Sequence, residues 1–164
     1  MMGKRGMIAA FLENARLLQE KFGIEPLLYG SLGLELRTGE DLGADDIDIL
    51  VPGAFVRERW DGFRAVLEEN GYRLIDAHEH EFEKDGMHFA YAQIEGLDEF
   101  AGVWVEEIET IDKEGCRFML LDLRQYLKVY EASAKDGYRI EVREKKDAEK
   151  IRFIKQRLAE GARD

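Results

Sequence analysis

Apolar residues recur at helical spacing from Met7 to Phe22, where Ile8, Phe11, Leu12, Ala15, Leu18 and Phe22 draw one stripe. The pattern predicts an opening amphipathic helix. "PLLY" (Pro26 to Tyr29) predicts a short buried strand ending at Gly30-Ser31, and Leu32 to Leu36 a brief helix. "RTGEDLGAD" is rich in turn formers and predicts a polar loop. "DIDILV" (Asp46 to Val51) returns to strand, with Pro52-Gly53 as its stop. Phe55 to Leu67 restores the helical period through Val56, Trp60, Phe63 and Val66, and Asn70-Gly71 closes that helix.

"YRLIDA" predicts the next strand, and "HEHEFEKDGMHFAYAQI" a hairpin turning at Asp85-Gly86, with His78 and His80 as alternate residues of its first arm. If Lys84 pairs with Met87, Glu81 lies opposite Ala90 and Glu83 opposite His88. Glu81, Glu83, His88 and Ala90 then share one face, while Phe82, Phe89 and Tyr91 share the other. Short strands are expected near Val103 to Val105 and Cys116 to Leu120. Asp122 and Gln125 form a capping-box start for a helix running to about Ala134, and Asp147 to Leu158 predicts a last helix. This order predicts an α+β protein, one domain over residues 1–164, with its core at about 7–120 and C-terminal helices at about 122–160.

A chain of 164 residues is long enough to bury such a core without staples, and 45% hydrophobic content excludes a disordered chain. The single Cys116 allows no internal disulfide, so a reducing, cytoplasmic setting is expected; a lone strand cysteine without a motif does not predict a nucleophile. No apolar run reaches bilayer length, and "MMGKRGMIAAFLENARLL" is broken by charge too early for a secretion signal. A net charge of −11 argues against a large nucleic-acid interface. A small anionic ligand still fits if a cation or local basic cluster offsets its charge.

Asp46 and Asp48 are two apart on a strand, so both project to one face while Ile47, Ile49 and Val51 project to the other. Burying bare carboxylates is costly, and a convergent pair suits Mg²⁺, a hard cation that takes oxygen ligands and shares its shell with phosphates. Gly30-Ser31, opening a short helix, supplies the complement: close backbone approach and free N–H groups that attract phosphate. Together these parts suit a metal–triphosphate unit. The bland reading makes the aspartates a solvated edge and Gly30-Ser31 a simple turn. Both halves at strand ends within one short span favour the functional reading.

"LYGSLGLEL" followed by "DDIDIL" resembles the signature of the nucleotidyltransferase superfamily related to DNA polymerase beta, in which a Gly-Ser at a strand end precedes an Asp-hydrophobic-Asp-hydrophobic strand. The intervening loop, Leu32 to Asp45, is toward the long side for that pattern. The resemblance implies a mixed sheet flanked by helices, with Gly30 and Ser31 binding nucleotide phosphates and Asp46 and Asp48 holding Mg²⁺. It implies transfer of a nucleoside monophosphate from a nucleoside triphosphate to an acceptor that no residue pattern specifies. "LLDLRQYLKVYEASAKDGYRIEVREKKDAEKIRFIKQRL" is similar to the closing helical pair of small members, including toxin-like and antibiotic-modifying branches, and so assigns Lys128 to the triphosphate.

One part of the pattern is missing. The superfamily places a third acid on a later strand as general base and second-metal ligand, and here that position aligns with Ala90. Glu81, opposite Ala90 in the hairpin register, is the candidate substitute, though it reads equally well as an ordinary exposed strand residue. The leading expectation is therefore a Mg²⁺-dependent nucleotidyltransferase with Asp46, Asp48 and Glu81 as its catalytic set. The alternative is a degenerate nucleotide-binding or toxin–antitoxin interaction domain, and a third reading is an unrelated α+β protein with a fortuitous motif. A carboxylate beside Asp46 and Asp48 separates the first two. His78, His80 and His88 lack zinc-type spacing and read as surface or rim residues.

Overall fold

A computed structural model describes residues 4–135 and 140–161, those at 4, 5 and 140–146 by their backbone alone. The helices are α1 (Lys4–Phe22), α2 (Gly30–Thr38), α3 (Trp60–Glu69), α4 (Leu97–Ala101), α5 (Leu123–Lys135) and α6 (Ile140–Ala159). The strands are β1 (Leu27–Tyr29), β2 (Asp46–Val51), β3 (Arg73–Asp76), β4 (Glu81–Lys84), β5 (Met87–Gln93), β6 (Glu109–Lys113) and β7 (Cys116–Leu120). The chain divides into two compact units, one of Met1–Glu95 with Glu109–Leu120, the other of Gly96–Ile108 with Leu121–Asp164.

The first unit holds a mixed sheet in the order β3-β4-β5-β2-β1-β7-β6. β2 runs parallel to β5 and antiparallel to β1, and β1 runs parallel to β7. Alternation sends Ile47, Ile49, Phe82, Phe89, Tyr91 and Phe118 into one buried cluster with Phe11, Ala15 and Leu18 of α1 and Phe63 and Leu67 of α3. Edge-on ring pairs knit it together: Phe11 on Phe118 at 5.1 Å and Phe63 on Tyr91 at 5.2 Å. Fully burying each such side chain contributes about 1.5–3 kcal/mol, so this layer holds β2 and β5 in place.

The hairpin has the expected register, Lys84 with Met87, Glu83 with His88 and Glu81 with Ala90. Asp85 and Gly86 both take positive φ (53° and 81°), which suits the twist of a two-residue hairpin turn.

Other expectations need correcting. The helix foreseen over Phe55 to Leu67 is two elements, a 3₁₀ turn at Gly53–Val56 and then α3 from Trp60. Gly53 donates to Glu95 Oε1 at 2.8 Å, which holds this turn to the end of β5, while Phe55 and Phe63 still both pack on Phe22. His78 and His80 are not strand residues. Asp76 Oδ1 accepts the N–H groups of His78 and Glu79 at 3.0 and 3.1 Å, a local turn that delays β4 to Glu81. Val103 to Val105 is not a strand either; Val103 donates to the Leu97 carbonyl after α4, and Val105–Glu107 is a 3₁₀ turn. The antiparallel partner of β7, on the side away from β1, is β6, whose "ETIDK" is too polar to announce itself because it forms a sheet edge. α2 is longer than foreseen, and α6 begins at Ile140 rather than Asp147.

In the second unit, α5 and α6 pack on each other as the C-terminal helical pair. The capping box is present: Asp122 N–H donates to Gln125 Oε1 at 2.9 Å, and Gln125 N–H to Asp122 Oδ1 at 2.8 Å. Among the described residues, no helix is long and apolar enough to cross a membrane.

Candidate functional site

The site grows from the ends of β1 and β2. Tyr29 pairs with Asp48, and the next residue, Gly30, turns the chain into α2 with φ +67°. A Cβ on Gly30 would meet the Asp48 carboxylate oxygen, with Asp48 Cβ and Cγ following at 3.2 Å. Glycine is thus demanded twice, by the left-handed backbone and by the carboxylate laid against it. The side chain of Tyr29, the residue before α2, makes no capping bond to the helix, and the first N–H groups of α2 lie at Gly30 and Ser31, where the positive end of the helix dipole favours negative charge.

Asp46 is exposed and Asp48 half-buried, while Ile47 and Ile49 between and beyond them are fully buried. The alternation that roots β2 in the core therefore delivers both carboxylates to the opposite face. Two oxygen donors on one face, beside a backbone stretch kept clear of any Cβ, fit a hard divalent cation.

The loop between α2 and β2 is tied down by a residue that sequence reading missed. Glu35 is buried at 6% exposure, and its Oε2 accepts the N–H groups of both Leu42 and Ala44 at 2.8 Å. Those two charge-assisted bonds offset the cost of burying the carboxylate and anchor the entry to Asp46. The one available signal was a lone acid inside the apolar run "LGLEL". Arg37, at the other end of α2, donates to Glu109 Oε1 at 2.9 Å and to the Leu120 carbonyl at 3.1 Å, fastening the helix to β6 and β7. Glu35→Ala strips the Leu42 and Ala44 donors of their acceptor, and we expect a loss of about 2 kcal/mol in urea unfolding followed by circular dichroism. A variant as stable as the parent would mean that the loop holds itself.

Across β2, Asp46 pairs with His88 and Asp48 with Ala90. Ala90 is therefore the direct cross-strand neighbour of Asp48. Glu81 stands one strand further, opposite Ala90, so its backbone is roughly 10 Å from that of Asp48 at ordinary strand spacing. Its carboxylate meets His88: Oε2 lies 2.8 Å from Nδ1. Among the described residues, no group of three or more His, Cys, Asp and Glu side chains is arranged to hold a metal ion. The structure thus brings Asp46 and Asp48 together, and brings Glu81 to His88.

The neighbouring acid is already engaged. Glu83 accepts the Gly86 N–H at 2.8 Å and pairs with Arg73 at 3.0 Å, and these contacts, the Gly86 bond first, hold its carboxyl below its ordinary value. Cys116 is buried with Sγ 3.7 Å from the Leu12 carbonyl, and burial pushes its thiol up, which suits a packing residue and not a nucleophile. Lys128 lies in the second unit, where Nζ donates to the Gly102 carbonyl at 3.4 Å. His80 packs edge-on against Trp60 at 4.7 Å and belongs to the rim of the aromatic cluster.

No family model matches the chain. It is similar to the uncharacterized protein YnaI of Bacillus subtilis (strain 168), with 40% identity over 144 residues, covering 88% of this chain and 92% of YnaI. Its fold is similar to the solution structure of the antibiotic-resistance factor ANT(2'')-Ia, with a TM-score of 0.62 and 16% identity over 93% of this chain and 84% of that one. The structural likeness shows a nucleotidyltransferase-like fold, a mixed sheet flanked by helices.

Proposed function

We propose, for a chain that belongs to one family with the Bacillus subtilis protein YnaI, a nucleotidyltransferase that moves a nucleoside monophosphate from a nucleoside triphosphate onto a hydroxyl acceptor. The observation that carries this reading is the seating of Asp48 against Gly30 at the start of α2, with Asp46 on the same face. Anion-binding backbone and cation-binding carboxylates stand side by side, which is what a metal–triphosphate ligand requires. Asp46 and Asp48 would hold Mg²⁺, which when bound neutralises charge on the phosphate oxygens and polarises the α-phosphorus. Gly30 lets the phosphates approach, and Ser31 with the first N–H groups of α2 binds them. The work of these residues is positioning and electrostatic stabilisation.

A thermal-shift panel of the four ribonucleoside and four deoxyribonucleoside triphosphates, with and without Mg²⁺, tests this. At a hundredfold excess over Kd, a ligand stabilises the fold by about 2.7 kcal/mol. For a chain of this size that is a rise in Tm of roughly 5–10 °C. We expect it with at least one triphosphate and only with the cation; no shift for any of the eight would sink the proposal. Hydroxyl-bearing antibiotics belong among the acceptors to be screened, because ANT(2'')-Ia is an antibiotic-resistance factor.

A second reading is favoured by Ala90 directly beside Asp48. An alanine there binds neither metal nor proton, as in an interaction domain that binds nucleotide without turning it over. Pyrophosphate release from a stabilising triphosphate decides between the two.

A further inference from the structure

We propose that His88, oriented by Glu81, takes the proton from the attacking hydroxyl, replacing the acid that Ala90 displaces. This rests on the nucleotidyl-transfer reading and adds to it the group that completes the reaction. Asp46 pairs with His88 and Asp48 with Ala90, so the imidazole stands on the same sheet face as both aspartates, two pairing positions from the gap. Its side chain is 46% exposed, which leaves the ring open to an incoming substrate.

The Glu81 contact sets the chemistry of that ring. A carboxylate can only accept, so at 2.8 Å from Oε2 the Nδ1 carries the hydrogen, and in the neutral ring Nε2 keeps its lone pair. The other acid on this face, Glu83, is committed to Gly86 and Arg73 and holds its proton less readily than an ordinary glutamate. A neutral imidazole also adds no negative charge beside Asp46 and Asp48, where a third carboxylate would repel both.

In the step itself the hydroxyl O–H bond breaks and its proton passes to Nε2. The oxygen forms its bond to the α-phosphorus as the bond from that phosphorus to the bridging oxygen breaks, and pyrophosphate leaves with the electron pair. The imidazolium is held by the Glu81 carboxylate until it returns its proton to solvent. His88 is the catalytic residue and Glu81 a positioning residue.

Two measurements on the full chain test the assignment. The first needs no substrate: ¹⁵N shifts of the His88 ring should report hydrogen on Nδ1 in the parent and a move toward hydrogen on Nε2 in Glu81→Ala. The second follows pyrophosphate release from an equimolar mixture of the four ribonucleoside triphosphates with Mg²⁺ and glycerol as hydroxyl donor. His88→Ala should lower kcat about 100-fold or more, with KM for triphosphate changed less than about threefold, and added imidazole should restore part of the rate. Glu81→Ala should cost about tenfold in kcat by the same route. Parental turnover in His88→Ala, or hydrogen on Nε2 in the parent, overturns the proposal. So does a parent that triphosphate and Mg²⁺ stabilise but that releases no pyrophosphate, an outcome that leaves nucleotide binding standing. A parent that no triphosphate stabilises removes the reading beneath it as well.

Discussion

Gly30→Val should bind no nucleoside triphosphate and should melt well below the parent. Gly30 sits at φ +67°, where a residue with a side chain pays about 1–2 kcal/mol, and a β-branched one more. The collision adds to this strain. The new Cβ would run into the Asp48 carboxylate, whose strand is held on one side by Tyr29 and on the other by Ala90. A loss of roughly 3 kcal/mol corresponds to a fall in Tm of about 6–12 °C for a chain of this size. Displacing Asp48 also separates the two carboxylates from the start of α2. Gly23→Ala is the matched control: its φ is +68°, yet among the described residues nothing lies within 4 Å of the Cβ it would add. That variant should lose stability and keep its nucleotide affinity. Triphosphate binding by Gly30→Val at parental strength would place the ligand elsewhere on the molecule.

The double substitution Asp46→Asn, Asp48→Asn should do the reverse, removing binding while sparing the fold. Asparagine matches aspartate in shape, so the packing of residue 48 against Gly30 survives. Two like charges on one strand face disappear while asparagine keeps an oxygen acceptor at each position, so the unliganded protein should melt close to the parent. What is lost is the affinity for a divalent cation, and with it the cation-dependent part of triphosphate binding. Calorimetric titration of Mg²⁺ with a stabilising triphosphate should therefore show heat in the parent and none in the variant, with superimposable circular dichroism spectra. A variant that binds the pair as well as its parent would end the metal assignment for Asp46 and Asp48.

Local patterns carried a large part of this protein in plain view. The span of β2, the Asp85-Gly86 turn with its register, the Asp122–Gln125 capping box and the common face of Asp46 and Asp48 depend on neighbours a few residues apart, and sequence periodicity reports those directly. Expectation failed where distant partners decide. Phe55 and Phe63 serve one aromatic cluster from two separate elements, so their helical spacing merged a 3₁₀ turn with α3. β6 is polar because it lies at a sheet edge, and a polar strand exists only by virtue of β7 beside it. Glu35 looks unremarkable until the loop it holds is seen folded back over it.

The same division runs through the site. The sequence by itself determined that two carboxylates share a face and that a Gly-Ser pair opens a helix, because strand and helix periods are properties of the backbone. Only the tertiary structure decided that Asp48 lies against Gly30, that Ala90 stands next to Asp48, and that Glu81 reaches His88. Those relations depend on which strands become neighbours and in which direction they run. That choice is made by burial of Ile47, Ile49, Phe89 and Tyr91 on the far face of the sheet, and it carries the polar residues along.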